Sequence, residues 1–148
     1  MGYKRSYKKE KMKMALIQWN NGYSVNVAEI DQQHQTLIRM INELNDAMSQ
    51  GKGKEVLGRI IGGLTAYTGT HFATEERYFD RFGYPDADSH KQNHAAFVRK
   101  VGDVREKFRK GQLGLTIEIL DFLSDWLGEH ITRSDRQYGP FFNQKGLH

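Results

Sequence analysis

Cysteine is absent, proline occurs only twice, and nowhere in the 148 residues is there an apolar run of about 18. The first absence excludes a disulfide-stapled secreted scaffold. The last excludes a transmembrane helix, and the apolar stretch from Met14 to Ile17 is too short for a signal peptide and lacks its small-residue cleavage site. A glycine-rich phosphate loop, an internal repeat and an alternation of strands with helices are also missing, which argues against a nucleotide-binding α/β fold and against a repeat array. What is present is a hydrophobic fraction of 38%, or about 48% with the glycines included, which is the globular norm. One domain of this length buries roughly 68–70% of its unfolded surface and needs no staple to fold. The expectation is a soluble cytoplasmic protein, with a monomer favoured.

A formal net charge of +4 would suit a nucleic-acid or membrane surface if it were spread over the fold. Residues 1–13, however, hold Lys4, Arg5, Lys8, Lys9, Lys11 and Lys13 against Glu10, while the remainder carries 16 bases and 17 acids. The basicity belongs to a tail with almost no aliphatic content, which is expected to be disordered. The domain, residues 14–148, has no charge excess for nucleic acid. The first six residues match the loose myristoylation pattern, but so short a pattern has many chance matches, and the tail is read as a solvated extension.

From Ile30 onward apolar residues recur at helical spacing. Ile30, His34, Leu37, Ile41, Leu44 and Met48 form one stripe, stopped by Gly51. Leu57, Ile60, Leu64, Tyr67 or Thr68, His71, Glu75, Tyr78 and Phe82 form the second, ended by Gly83 and Pro85. Gly58, Gly62, Gly63 and Gly69 weaken that helix by propensity, so packing must hold it. His90, His94, Phe97, Val101, Val104 and Phe108 form the third, closing at Gly111. The fourth runs through Ile119 or Leu120, Leu123, Leu127 and His130, with Gly139-Pro140 expected to mark its end. Short turns join these stretches, so the fold class is all-α: an antiparallel up-down-up-down four-helix bundle with an N-terminal extension.

The stripes carry polar residues where a core is expected. His34 comes early in its helix, His71 late, His90 and His94 early, His130 late; antiparallel packing brings all five to one end of the bundle. A single histidine on an apolar face is ordinarily a hydrogen-bonded core residue. Five desolvated together, with Glu75 on the stripe of His71, would each cost roughly 1–3 kcal/mol without partners, and a shared cation removes that cost. On a helix, residues four apart lie on one face, so His71 with Glu75 and His90 with His94 make two clips. His130 and Asp135 are five apart, about 140° out of line on a regular helix. The fourth helix is therefore expected to end, or to take a π-type turn, between Ile131 and Asp135. Imidazole and carboxylate suit several metals, and the donors alone do not choose among them.

These motifs resemble those of the single-domain bacterial hemerythrins: Asp31-Gln32-Gln33-His34, His71-Phe72-Ala73-Thr74-Glu75-Glu76, His90 and His94 followed by Phe97, and Trp126-Leu127-Gly128-Glu129-His130 followed by Asp135 and Tyr138. The likeness runs from about Ala15 to Phe142. The resemblance implies a non-haem di-iron oxygen-binding protein. His90, His94 and His130 would hold one iron, His34 and His71 the other, and Glu75 and Asp135 would bridge them with an oxo or hydroxo group. Counting ligands on that assignment fills the first iron and leaves the second one position open. Dioxygen would bind there reversibly as a hydroperoxide, in a pocket walled by Leu37, Phe72, Trp126, Leu127 and Ile131. The implied role is oxygen carriage, storage or delivery and not catalysis, with a membrane oxidase or oxygenase as a candidate acceptor. An oxygen or redox sensor, and a di-iron enzyme acting on peroxide or nitric oxide, are the alternatives. Glu76 is read as a solvated neighbour and not a third bridge, and Tyr67 and Tyr78 as core residues with satisfied hydroxyls, a contact with a ligand at the site being the alternative for either.

Overall fold

A computed structural model describes residues 17–148; the expected disordered tail over residues 1–13 lies outside the described residues. Three long helices come first: α1 (Ala28–Ser49), α2 (Gly53–Phe82) and α3 (Ala87–Arg109). The fourth rod is composite, with α4 (Leu115–Trp126), a π-helical segment (Leu127–Asp135) and α5 (Arg136–Gln144) following one another without a break. No strand occurs among the described residues. Helix α1 packs on α2, α2 on α3, α3 on α4 and α4 back on α1, which closes the antiparallel ring expected from the short turns.

Turn chemistry sets the helix ends. Gly83 adopts the left-handed conformation (φ 70°) and its N–H donates to the Phe79 carbonyl at 2.9 Å, so α2 stops at Phe82. Before α1, Asp31 accepts from the Val25 N–H (2.9 Å) and from the Ser24 hydroxyl (2.6 Å). Those bonds tie the arm to the first turn of α1, and Val25 and Val27 are buried in the core. Further out, Asn42 clamps Ile17 by accepting from its N–H at 2.8 Å and donating to its carbonyl at 2.9 Å.

The glycine-rich stretch of α2 is held by close packing. A Cβ at Gly58 would lie 3.2 Å from the Phe108 ring, and one at Gly63 would lie 3.0 Å from Met40 Sδ.

The fourth rod corrects one expectation. Gly139-Pro140 does not end it: Pro140 lies inside α5, which continues to Gln144. Proline removes one N–H and crowds the carbonyl four residues back. Here Pro140 and Arg136 both face solvent, so water can take the freed carbonyl. On the opposite side Gly139 lies so close to the N-terminal arm that a Cβ would stand 2.6 Å from the Val25 carbonyl oxygen. Tyr138 and Phe142 flank it in a buried aromatic cluster, and their packing outweighs the local propensity.

Two apolar clusters fill the bundle. The larger includes Leu37, Leu64, Tyr67, Phe72, Phe97, Leu123, Leu127 and Ile131. The smaller gathers Val25, Val27, Ile30, Tyr78, Phe79, Tyr84, Tyr138 and Phe142. Along each helix the histidines and acids fall between residues of the two clusters, so the polar layer is sealed from both ends.

Candidate metal centre

All five histidines of the stripes are buried, as are Glu75 and Asp135, both at 0% exposure. Their ligand atoms fall into two groups, His90 with His94 and His130, and His34 with His71, Glu75 and Asp135; within each, the atoms lie no more than 4.8 Å apart. The helix clips form as the spacing predicts: His71 Nε2 is 2.5 Å from Glu75 Oε1, one turn along α2. The five-residue spacing is resolved by the π-helical segment. Its i→i+5 geometry brings His130 and Asp135 to one side, with Nε2 to Oδ1 at 3.0 Å. In the widened backbone the Thr132 hydroxyl donates to the Gly128 carbonyl.

The two carboxylates stand between the groups. Asp135 places Oδ1 2.7 Å from His90 Nε2 and 3.0 Å from His130 Nε2, and Oδ2 3.0 Å from His34 Nε2. Glu75 Oε1 meets His71 and lies 3.7 Å from His94 Nε2, while Oε2 lies 3.4 Å from His90 Nε2. None of these contacts has the alignment of a hydrogen bond. Both Glu75 oxygens, both Asp135 oxygens and Nε2 of His34, His90, His94 and His130 are buried polar atoms without a hydrogen-bond partner. Left so, each would cost about 1–3 kcal/mol. Lone pairs converging on a common space are the arrangement a cation satisfies.

Electrostatics follow from this crowding. Burial and Asp135 push the Glu75 carboxyl up, but contacts with His71 and His90 outweigh them and hold it low. Burial likewise pushes Asp135 up, and His130, His34 and His90 hold it well below the usual range. Burial lowers His90, yet Asp135 and Glu75 carry it to about 9. Burial dominates at His94 and lowers it to about 4.

Ring orientation depends on residues that the stripes do not reveal. Gln33 Oε1 accepts from His71 Nδ1 at 2.7 Å, and its amide nitrogen donates to Thr74 Oγ1 at 3.1 Å, which fixes the amide's orientation. Glu76 Oε2 accepts from His94 Nδ1 at 2.9 Å. Both bonds leave Nε2 free to face the cluster. Glu76 is thus not merely a solvated neighbour: its carboxylate, 34% exposed, reaches across from α2 to orient a ring on α3. Neither residue lies on an apolar stripe; the one signal in the sequence is adjacency, Gln33 to His34 and Glu76 to Glu75.

Aromatic rings back the imidazoles. Phe72 stacks on His94 (3.8 Å between centroids, 7° between planes), Trp126 on His130 (3.9 Å, 15°) and Tyr67 on His71 (4.9 Å, 18°). Of the five residues expected to wall a pocket, Leu37, Phe72, Leu127 and Ile131 are buried together in the larger cluster, and Trp126 is half-buried against it. A groove of about 370 Å³ lies on the outer side, between Asn93 of α3, Phe122, Asp125 and Trp126 of α4, and Glu129, His130 and Ser134 of the π segment. It shares only Trp126 with the expected walls.

The two tyrosines differ: Tyr78 is buried and its hydroxyl donates to Glu29 at 3.4 Å, as expected. The Tyr67 hydroxyl, expected to be satisfied, is buried without a partner, as is that of Tyr138. Burial, then the charges of Glu75 and Asp135, push the Tyr67 phenol well above its ordinary value, and burial, then Asp135 and Glu75, do the same for Tyr138, so both stay protonated.

An all-helical antiparallel bundle with a sealed layer of five histidines and two carboxylates defines a class, a protein built to hold a pair of metal ions in its core. The family model described as the hemerythrin HHE cation binding domain matches residues 25–142. A bacteriohemerythrin of Methylococcus capsulatus is 34% identical over 128 residues, covering 86% of this chain and 97% of that protein. One of Pseudomonas aeruginosa is 36% identical over 125 residues, covering 84% and 80%. A crystal structure of wild-type hemerythrin superposes with a TM-score of 0.76 at 33% identity, covering 85% of this chain and 97% of its own. The chain belongs to the hemerythrin family.

Proposed function

We propose that this chain is a non-haem di-iron protein that binds dioxygen reversibly, with His90, His94 and His130 holding one iron, His34 and His71 the other, and Glu75 and Asp135 shared between them. The observation that carries this reading is the placement of each carboxylate within 4 Å of imidazole nitrogens from both groups, with all four carboxylate oxygens and Nε2 of His34, His90, His94 and His130 buried without a hydrogen-bond partner. The bacteriohemerythrin relatives and the hemerythrin structures support iron as the metal and dioxygen as the ligand. When bound, the iron pair would supply the two electrons that dioxygen takes up.

The chain's own residues prepare the site for that role. Gln33 and Glu76 hold the rings of His71 and His94, while Phe72 and Trp126 support His94 and His130 from behind. Leu37, Phe72, Trp126, Leu127 and Ile131 would form the dry wall of the oxygen pocket, keeping out the water and protons that drive irreversible oxidation. Five imidazoles against two carboxylates favour a binding protein over the carboxylate-rich oxygen-activating enzymes. The domain is taken as residues 14–148, acting in the cytoplasm and delivering oxygen to a membrane oxidase or oxygenase. No helix among the described residues is long and apolar enough to cross a membrane.

The deciding experiment is anaerobic loading with ferrous iron, metal counting, and admission of air. Two irons per chain and a visible band that disappears on deoxygenation and returns are expected, with loss of the band in His130→Ala. Steady oxygen consumption with reductant and no long-lived adduct would point instead to enzymatic turnover.

A further inference from the structure

The two phenols buried without a partner, Tyr67 and Tyr138, sit on opposite sides of the histidine layer. Tyr138 belongs to the smaller cluster, with its ring centroid 5.6 Å from that of His90. Tyr67 belongs to the larger cluster and stacks on His71, beside the group of two histidines and two carboxylates. It therefore shares a cluster with Leu37, Phe72, Leu127 and Ile131, none of which carries a side-chain hydrogen-bond donor; of the expected walls only Trp126 has one, its indole N–H, and that half-buried ring stacks on His130, in the other group. Nearby hydroxyls on α2 are already engaged: Thr68 donates to the Thr65 carbonyl at 2.9 Å and Thr74 to the Thr70 carbonyl at 2.8 Å. A buried hydroxyl with no acceptor in the protein is stabilised only when an acceptor arrives.

We propose that Tyr67 is a ligand-positioning residue, whose hydroxyl donates a hydrogen bond to a small anionic or oxygen ligand admitted beside His71. The inference rests on the dinuclear reading above and adds to it a selectivity element. Apolar walls sort ligands by size, whereas one fixed donor favours those that place negative charge near it. Because the hydroxyl has no competing partner to give up, the bond counts wholly toward the bound state.

Tyr67→Phe removes the hydroxyl and keeps the ring that stacks on His71. The probe is azide, titrated into the oxidised iron-loaded protein and followed by its visible band and its infrared stretch. The variant is expected to load two irons per chain, to bind azide about tenfold more weakly, and to lose the change in azide stretch seen between H2O and D2O in the wild type. The metal-free variant is expected to melt at or above the wild-type temperature, because it loses an unsatisfied buried group; a merely structural tyrosine would lower that temperature. Unchanged azide affinity with an unchanged isotope effect overturns the proposal and leaves the dinuclear reading standing. If the wild type binds azide with this dependence on Tyr67 but forms no reversible dioxygen adduct, the oxygen-carrier reading falls and the role of Tyr67 stands. Should Tyr67→Phe load poorly, the wild-type isotope effect decides, and its absence overturns the proposal.

Discussion

His71 and His94 each commit Nδ1 to an acceptor on a neighbouring helix, and that bond orients Nε2 toward the cluster. Glu76→Ala should therefore leave the fold intact, since the side chain is partly exposed, and weaken metal binding by about 10–100-fold. Competition with a calibrated chelator measures this, and an unchanged metal affinity would show that His94 needs no orienting partner. Protonation makes a second prediction at the same scale. His90 is held at about 9 in the folded, metal-free protein, above its unfolded value of about 6.5, so its contribution to stability is full below pH 6.5 and is lost as pH rises through 9. His94, lowered to about 4, contributes above pH 6.5 and loses that contribution as pH falls toward 4. The thermal midpoint of chelator-treated protein should peak near pH 6.5 and decline on both sides; a midpoint still climbing from pH 6.5 to 9 would contradict the assignment. The stripes reveal six of the seven buried donors because polar side chains stand where apolar ones are expected, and Asp135, off the stripe by its five-residue spacing from His130, enters through the motif. Gln33, Glu76 and the unpartnered state of Tyr67 escape such a reading, because they depend on distances across the bundle.

At the level of the helices, the fourth rod departs most from regular geometry. Its π-helical segment was legible in the five-residue gap between His130 and Asp135, although it begins earlier than expected, at Leu127. The continuation through Pro140 was not legible, because it depends on which side of α5 faces water and on how closely Gly139 approaches the Val25 carbonyl. That approach predicts that Gly139→Ala destabilises the protein by roughly 1–3 kcal/mol, since backbone on both sides must move. Gly62→Ala provides the contrast: it is exposed within α2 with open space around the new Cβ and should stabilise by roughly 0.5–1 kcal/mol. Denaturant melts of the two variants test the pair, and similar shifts of the same sign would mean that helix propensity, not the contact with Val25, governs position 139.

For the whole molecule, the charge is distributed unevenly, with the excess of bases confined to residues 1–13. Removing those residues should move the isoelectric point to the acidic side of neutral and leave metal stoichiometry and the visible spectrum unchanged, as isoelectric focusing and metal analysis would show. Loss of the centre on truncation would place the domain boundary elsewhere. The polar layer lies between two apolar clusters, an arrangement that no single helix encodes and that appears only when the four rods pack. The periodicity of the chain alone determines which face of each helix is apolar, that four such helices pack antiparallel, and at which end the histidines meet, because these follow from residue spacing and turn position. Only the tertiary structure decides which oxygen faces which imidazole, which partner orients each ring, and which phenol is left without one. Spacing along a helix fixes direction around its axis, whereas those outcomes depend on the separation between axes, which is set by the side chains of all four rods packing together.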